Sequence, residues 1–429
     1  MRRDWTYLID WRCIAVIVAA SCGLGYEAIA ADAQRGDAAL PPALSRKLIE
    51  SINRVYSKDR LERLRTVKEL RDMGPKAAHA APFLVTVLSD RTVVIVPDQT
   101  VVGSHEEGIA RSARDALIAI GSAAVPVLQA AIKSSPDANT RALSAEAMHV
   151  IIFGPRHRRK VVVTRYEVDD TCVELWLAAM KDRDGRVRMY ATEGLAHAGP
   201  KSVAPVLLAA LRDECEGVRL AALKGVSRRK IEEAANTIVP LLGQKTLEPE
   251  VRRALESIGA AAVEPLISAI ADKDCPYQER ACWALHGIRD PKALPALHAA
   301  LRHDDALVRE WAANTLAGIA DARSLDPLVV ALRDVSPDVR HSAGHAIASI
   351  QDTDKSGAVQ PLIKVLQNDE HWLPRKSAAF ALGGLRALKP DVRDAVIDAL
   401  SQAKRKDKNK VVRETAAKAL ESIKKGQGK

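Results

Sequence analysis

The sequence predicts an all-α fold, a right-handed α-solenoid (superhelix) of about eleven helix pairs with two short β-rich insertions. Three observations predict it. Apolar residues recur at helical spacing in segments that repeat about every thirty residues, a proline falls repeatedly in the first turn of the second segment, and aromatic residues make up only 3% of the chain. Closely spaced helices packed through Ala, Leu, Val and Ile need few large rings. With 429 residues, 47% of them apolar, the chain can form a long array and is too apolar for wholesale disorder.

The repeat is traced by the residue that closes the first helix of each unit. Successive closing residues are 29 to 38 positions apart, except at two gaps of 47. A period of this size indicates a solenoid, because one helix pair cannot bury its own apolar stripe and stacking supplies the missing cover. The closing positions are Met73, Ile120, Ile151, Ala198, Arg229, Ile258, Ile288, Ile319, Ile350, Leu385 and Ile423.

Each unit contains two helical stretches. In "VREWAANTLAGI", Val308, Ala312, Leu316 and Ile319 recur at spacings of three and four, which places them on one helix face. In "SLDPLVVAL", Pro327 falls in the first turn, where its missing N–H removes no helical hydrogen bond. The same choice recurs at Pro126, Pro205, Pro240, Pro265, Pro295 and Pro361.

An arginine recurs ten residues before the closing position. We expect each guanidinium to bridge a loop carboxylate and unpaired carbonyls of the adjoining unit, as a structural ladder. The alternative is a row of anion-binding arginines. Ala110, Glu248 and Gln278 interrupt the pattern. The arginines are Arg63, Arg141, Arg188, Arg219, Arg309, Arg340, Arg375 and Arg413.

The units "VREWAANTLAGIADARSLDPLVVAL" and "VRHSAGHAIASIQDTDKSGAVQPLIKVL" resemble bacterial HEAT repeats of the phycobilisome-lyase-like type. The resemblance covers residues 42–424 and implies HEAT-like helix pairs. It leaves the function open, because that family includes chromophore lyase subunits, scaffolds, nucleic-acid binders and an iron hydroxylase.

Residues 1–30 are predicted to be an export signal. A short apolar run is preceded or flanked by Arg2, Arg3 and Arg12. A small-x-small cleavage site follows at Ala28-Ile29-Ala30. An uncleaved membrane anchor and lipid attachment at Cys22 are the alternatives. We expect a periplasmic or extracellular mature chain with no transmembrane span. Residues 31–41 are then a linker, 42–424 the solenoid and 425–429 a basic tail.

No catalytic, cofactor or metal site is predicted. The hydroxylase relatives use several His-Glu pairs, whereas this sequence has one, His105-Glu106. His341 and His345 could share a helix face. The residues aligned with His345 in other units, such as Glu193, are of types that usually face solvent. We therefore expect these positions, including His345, to be exposed and polar.

Nucleic acid is not an expected partner. The net charge is +10, but residues 404–429 alone hold ten Lys or Arg and three Asp or Glu. A nucleic-acid groove would spread its positive charge along the binding face. Trp176, Trp283, Trp311 and Trp372 occupy no repeated position, which favours local packing over a platform for stacking bases.

Two insertions account for the longer gaps. Residues 91–108 are β-branched on both sides of Pro97 and predict a hairpin, whereas residues 153–170 predict an extended segment after a basic cluster. That cluster, Arg156, Arg158, Arg159 and Lys160, is the candidate partner-binding set. The two insertions are expected on opposite edges, because one lies between units and the other inside a unit.

These observations favour an exported, non-enzymatic scaffold that binds a protein of unknown identity. One alternative is a nucleic-acid-binding protein of the same architecture, suggested by the sequence pI of about 9.3. Another is a lyase-like chromophore or metal enzyme subunit, suggested only by the resemblance.

Overall fold

The structure, a computed structural model, describes residues 46–97, 104–154, 168–351, 355–385 and 390–426. The predicted export signal, the linker 31–41 and the cluster Arg156, Arg158, Arg159 and Lys160 lie outside the described residues. The described part of the chain divides into two compact units, residues 1–225 and 226–429. Each unit is a stack of helix pairs, which confirms the prediction of an all-α solenoid.

The first unit opens with α1 (Arg46–Arg54) and then alternates first and second helices of successive pairs. Its first helices are α2 (Arg60–Met73), α4 (Ile109–Ile120), α6 (Ala138–Phe153), α8 (Gly185–Ala198) and α10 (Glu216–Arg229, which ends in the second unit). Its second helices are α3 (Ala81–Val87), α5 (Val125–Ser134), α7 (Asp170–Ala179) and α9 (Ala204–Ala210).

The second unit continues the alternation. Its second helices are α11 (Ala235–Ile238), α13 (Val263–Ala271), α15 (Leu294–Ala300), α17 (Leu325–Ala331), α19 (Ser356–Asn368) and α21 (Pro390–Lys406). Its first helices are α12 (Glu248–Ile258), α14 (Gln278–Ile288), α16 (Ala306–Ile319), α18 (Pro337–Ser349), α20 (Trp372–Gly383) and α22 (Lys410–Gly426).

Aspartates and glycines set the helix boundaries. Asp137 and Asp305 each accept a hydrogen bond from a backbone N–H in the first turn of the helix that follows. Such N-caps typically stabilise a helix by about 1 kcal/mol. After the first helix, Gly74, Gly121 and Gly259 have φ of 55°, 79° and 68°, which turns the chain into a short 3₁₀ segment ahead of the second helix.

The core lies between the stacked helices and consists of small and branched residues. On the first helices of the second unit, Ala281, Ala312 and Ala343 are fully buried. Beside them Leu285 and Leu316 are also fully buried, and burying one such leucine contributes about 1.5–3 kcal/mol. Small residues at these contacts allow adjacent first helices to pack closely.

The first insertion is the predicted hairpin. Strands β1 (Val93–Pro97) and β2 (Ser104–Gly108) pair antiparallel, from Val93 opposite Gly108 to Pro97 opposite Ser104. In the second insertion, α6 ends at Phe153 and α7 begins at Asp170, while residues 155–167 lie outside the described residues. Placement of the two insertions on opposite edges therefore stays a prediction.

Within the described residues, two stretches, Ile109–Ser134 and Glu248–Ala271, are long and apolar enough to cross a membrane by length and composition alone. Neither is a single straight helix. Each contains two helices joined by a 3₁₀ segment, and the backbone turns at Gly121 or Gly259. The expectation of no transmembrane span in the mature chain stays a prediction.

Candidate partner-binding surface

The eight recurring arginines share one geometry. Each lies in the first turns of a first helix and donates from Nη1 to two backbone carbonyls, six and five residues before it, in the loop that leads into its own helix. Six of them, Arg63, Arg141, Arg188, Arg309, Arg340 and Arg375, also donate from Nε to an aspartate in the loop after their helix pair, at 2.6–3.0 Å.

The aspartates link successive arginines into a chain of contacts. Asp334 accepts two hydrogen bonds from Arg309 through its carboxylate, at 2.7 and 2.9 Å. Its backbone carbonyl accepts from Arg340 at 2.8 Å, and Arg340 in turn binds the Asp369 carboxylate. In the first unit, Asp182 and Asp213 make the same double use of side chain and carbonyl. Each of these six arginines therefore ties the loop before its helix pair to the loop after it.

Hydrogen bonding in the ladder changes the acidity of its carboxylates. Burial by itself would raise the pKa of Asp334. Hydrogen bonds from Arg309 and from the Ser336 backbone N–H outweigh this effect, so the pKa of Asp334 lies below its usual value. Asp213 follows the same pattern, with Arg188 as its main donor. These carboxylates are thus ionised and occupied by arginine.

One interruption of the arginine pattern keeps part of the geometry. Gln278 Nε2 donates at 2.9 Å to the carbonyl of Ile270, in the last turn of α13, and at 2.9 Å to that of Asp272, in the loop that follows. The sequence analysis interpreted Gln278 only as an interruption of the arginine pattern. A neutral amide can supply the carbonyl contact, but it lacks the forked guanidinium that reaches the next loop.

An open groove of about 650 Å³ lies between the second helices α5 and α7 of the first unit. The Arg141–Asp182 pair borders it, and the exposed side chains of Lys133, Lys181 and Glu174 stand along it. Among the described residues neither lysine forms an ion pair or a side-chain hydrogen bond. Because Asp182 is neutralised by Arg141, this groove carries excess positive charge.

A second groove, of about 580 Å³, lies between the second helices α17 and α19 of the second unit. Arg333, Gln360, Lys364 and Asn368 line it and are exposed. Asp369 also lines it, but its carboxylate binds Arg340. Arg333 and Lys364 have no ion pair within the described ranges, so this groove is also cationic.

All of the exposed cations named in the two grooves except Lys364 belong to a repeated position. An exposed Lys or Arg stands at or just beyond the C-terminus of five second helices, where it also faces the negative end of the helix dipole. Sequence reasoning overlooked this row, although its signal, a basic residue next to the ladder loop, is visible in "ALRD". The five residues are Lys133, Lys181, Arg212, Arg302 and Arg333.

A buried polar cluster lies in the first unit beside the second insertion. His149 Nε2 is 3.5 Å from the Glu193 carboxylate, and both residues are less than 10% exposed. The rings of Phe153 and His197 pack beside them, with centroids 4.7 Å apart. The interpretation of Glu193 as solvent-exposed was wrong, because α6 and α8 enclose it.

The remaining sequence candidates are not assembled into a reactive site in the described residues. His345 is exposed and stacks on Phe380, with ring centroids 5.8 Å apart. Cys172, Cys215, Cys275 and Cys282 are all free thiols. Burial raises the pKa of Cys172 to about 11 and that of Cys282 to about 12, which makes both poor nucleophiles. No cluster of three or more metal-ligating side chains occurs in the part of the chain that is described.

Two of the tryptophans pack against each other. Trp283 and Trp311 come from successive first helices and stack, with ring centroids 5.0 Å apart and planes at 24°. The contact is local packing between neighbouring first helices. Trp176 is buried in the first unit, beside Phe153.

Comparison with known proteins identifies a family. A family model for HEAT repeats matches residues 173–259, 263–348 and 359–427. No curated protein matches the chain. Similar solved structures include Kap95p, the yeast importin-β, in a structure of its binding to RanGDP (14% identity, 97% of this chain, 66% of that chain, TM-score 0.48). Another is Kap121p bound to Ste12p, with 13% identity over 90% of this chain and 50% of that chain and a TM-score of 0.49. A third is an engineered protein, with 19% identity over 89% of this chain and 100% of that chain and a TM-score of 0.36. This chain thus spans about two thirds of Kap95p and half of Kap121p.

Proposed function

Because the chain belongs to the HEAT-repeat family, we propose that it is an exported, non-enzymatic scaffold that binds a protein partner along its second helices. The phycobilisome-lyase-like subtype and a bacterial origin are part of the same proposal. The observation that carries it is the pair of open cationic grooves, one in each unit, each bounded by two successive second helices.

The charge of the grooves indicates the chemistry of the partner. In each groove the ladder arginine occupies the nearest aspartate, Asp182 or Asp369, so the exposed lysines and arginines keep their full charge. An acidic segment of a protein could pair with them. A single exposed ion pair contributes only about 0–1 kcal/mol, so affinity requires several such contacts along the row.

The insertions are proposed as additional contacts. Loops added to a repeat protein often bind the partner. The β1–β2 hairpin and residues 153–170, with Arg156, Arg158, Arg159 and Lys160, are the two places where this chain departs from its repeat.

Photo-crosslinking from the groove tests the proposal. A photoreactive residue at Ala178, which is exposed and lines the first groove, should crosslink to a protein in intact cells. Lys133→Glu combined with Lys181→Glu should lower the crosslink yield severalfold, because the reversed charges repel an acidic segment.

The matched control is Lys58→Glu with Lys76→Glu, the same charge change at exposed positions of the same unit away from the groove. It should leave the yield unchanged. An adduct removed by nuclease would indicate a nucleic-acid binder instead, and a yield insensitive to the groove substitutions would overturn the assignment of this surface.

Export is tested on the mature protein. We expect its N-terminus at Ala31, in an extracytoplasmic fraction. A lipid-modified N-terminus at Cys22 would support the anchored alternative, and a chain beginning at Met1 in the cytosol would contradict export.

A further inference from the structure

A stack of three side chains runs across successive first helices of the second unit. The guanidinium carbon of Arg252, on α12, lies 4.6 Å from the ring centroid of Trp283, on α14. Trp283 also stacks on Trp311, on α16, with ring centroids 5.0 Å apart. Both indoles are partly exposed, so the stack reaches the surface of the unit.

The Arg252 end of the stack shows how this surface holds a cation. Arg252 Nη1 donates to the Glu256 carboxylate at 2.9 Å while the guanidinium lies over the Trp283 ring. The Glu248 carboxylate is 4.0 Å from Arg252 Nε. A cation between an aromatic face and a carboxylate is held both by the ring quadrupole and by the opposite charge.

Acidic residues also occur near the Trp311 end of the stack. Glu310 precedes Trp311 on α16, and Asp338 lies at the start of the adjacent helix α18. Burial raises the pKa of Glu310, and the nearby Asp338 charge raises it further, so the two carboxylates repel each other. Within the described residues, no ring or cation stacks on the second face of Trp311.

We propose that Trp311, Glu310 and Asp338 form a subsite for a lysine or arginine side chain of a protein partner. The positive charge would stack on the Trp311 indole and offset the repulsion between the two carboxylates. Leu307 stands one helical turn before Trp311 and is 54% exposed, which offers apolar contact for the stem of the bound side chain.

This inference rests on the proposed function only in placing the cation on a protein partner. The surface is on first helices and is acidic and aromatic, whereas the grooves lie between second helices and are cationic. A partner that binds both must therefore carry acidic and basic segments. The two assignments are tested with different probes and can fail separately.

The probe is a short acetylated and amidated peptide, Gly-Arg-Ala-Arg-Gly, compared with the same peptide carrying citrulline for arginine. Citrulline keeps the shape of arginine and removes its charge. Binding to the full chain is followed by NMR of ¹⁵N-labelled indole groups, with the Trp311 signal assigned by Trp311→Phe. The arginine peptide should shift the Trp311 signal, and the citrulline peptide should bind roughly tenfold more weakly.

Glu310→Gln and Asp338→Asn, which preserve shape, should each weaken binding of the arginine peptide by roughly fivefold. Glu264→Gln, an exposed glutamate on the second helix α13, is the matched control and should change nothing. Equal binding of the two peptides would overturn the proposal. Unchanged peptide binding by the Glu310→Gln, Asp338→Asn double variant, with an unaltered unfolding temperature, would overturn it as well.

Discussion

Gln278 and His303 occupy the two positions that Arg309 and Asp334 hold in the next pair. Gln278 Nε2 donates to the Asp272 carbonyl, as Arg309 Nη1 donates to the His303 carbonyl. His303 Nδ1 accepts the Asp305 backbone N–H at 3.0 Å, as the Asp334 carboxylate accepts that of Ser336 at 2.8 Å. Both members of one ionic contact are thus replaced by groups that keep the local hydrogen bonds.

Restoring both charged residues should restore the contact. We expect Gln278→Arg combined with His303→Asp to be more stable than the sum of the single variants by about 0.5–3 kcal/mol, the usual coupling of contacting residues. Each single variant introduces a charge without its partner. Urea unfolding of the four proteins measures the coupling, and strictly additive effects would show that the two positions do not meet.

Removing Arg309 should destabilise the second unit. Its side chain and that of Asp334 are each only about 10% exposed, so Arg309→Ala leaves a buried carboxylate without its cation. A loss of about 3–5 kcal/mol in the free energy of unfolding is expected. Arg323→Ala is the control, because Arg323 pairs with Asp321 in an exposed turn and its loss should change little. Equal effects of the two substitutions would contradict a structural role for the ladder.

Acid should weaken the ladder. The pKa of Asp334 is lowered in the folded chain, so its contribution to stability is present above the pKa of an unfolded aspartate, about 3.9. It is lost as pH falls through the lower folded value. Asp334→Asn should therefore show a shallower decline of unfolding temperature below about pH 4 than the parent chain. Parallel declines would mean that this carboxylate does not contribute.

A pair of helical glycines separates close packing from helix propensity. A Cβ on Gly383 would lie 2.5 Å from the Ala419 Cβ, whereas one on Gly357 would meet nothing within 4 Å. We expect Gly383→Ala to cost about 1–3 kcal/mol through overpacking and Gly357→Ala to be neutral or stabilising by up to about 1 kcal/mol. Thermal unfolding compares them, and a stabilising Gly383→Ala would refute the close approach of α20 and α22.

The sequence by itself determined the helix pairs and the hairpin. Seven of the eleven traced closing residues, Met73, Ile120, Ala198, Arg229, Ile258, Ile288 and Ile319, are the last residues of first helices. This follows because helical periodicity, first-turn prolines and turn glycines act over a few neighbouring residues, where a sequence pattern can be read directly.

Only the tertiary structure decided which side chains meet. Three contacts join residues that are more than twenty positions apart in the sequence: Asp334 with Arg309, Trp311 with Trp283, and Glu193 with His149. The pattern of one unit does not show whether a position is solvent-exposed, stacked or buried. It depends on the distance of the neighbouring helix and on the side chain that the neighbour presents, and stacking of the pairs sets both.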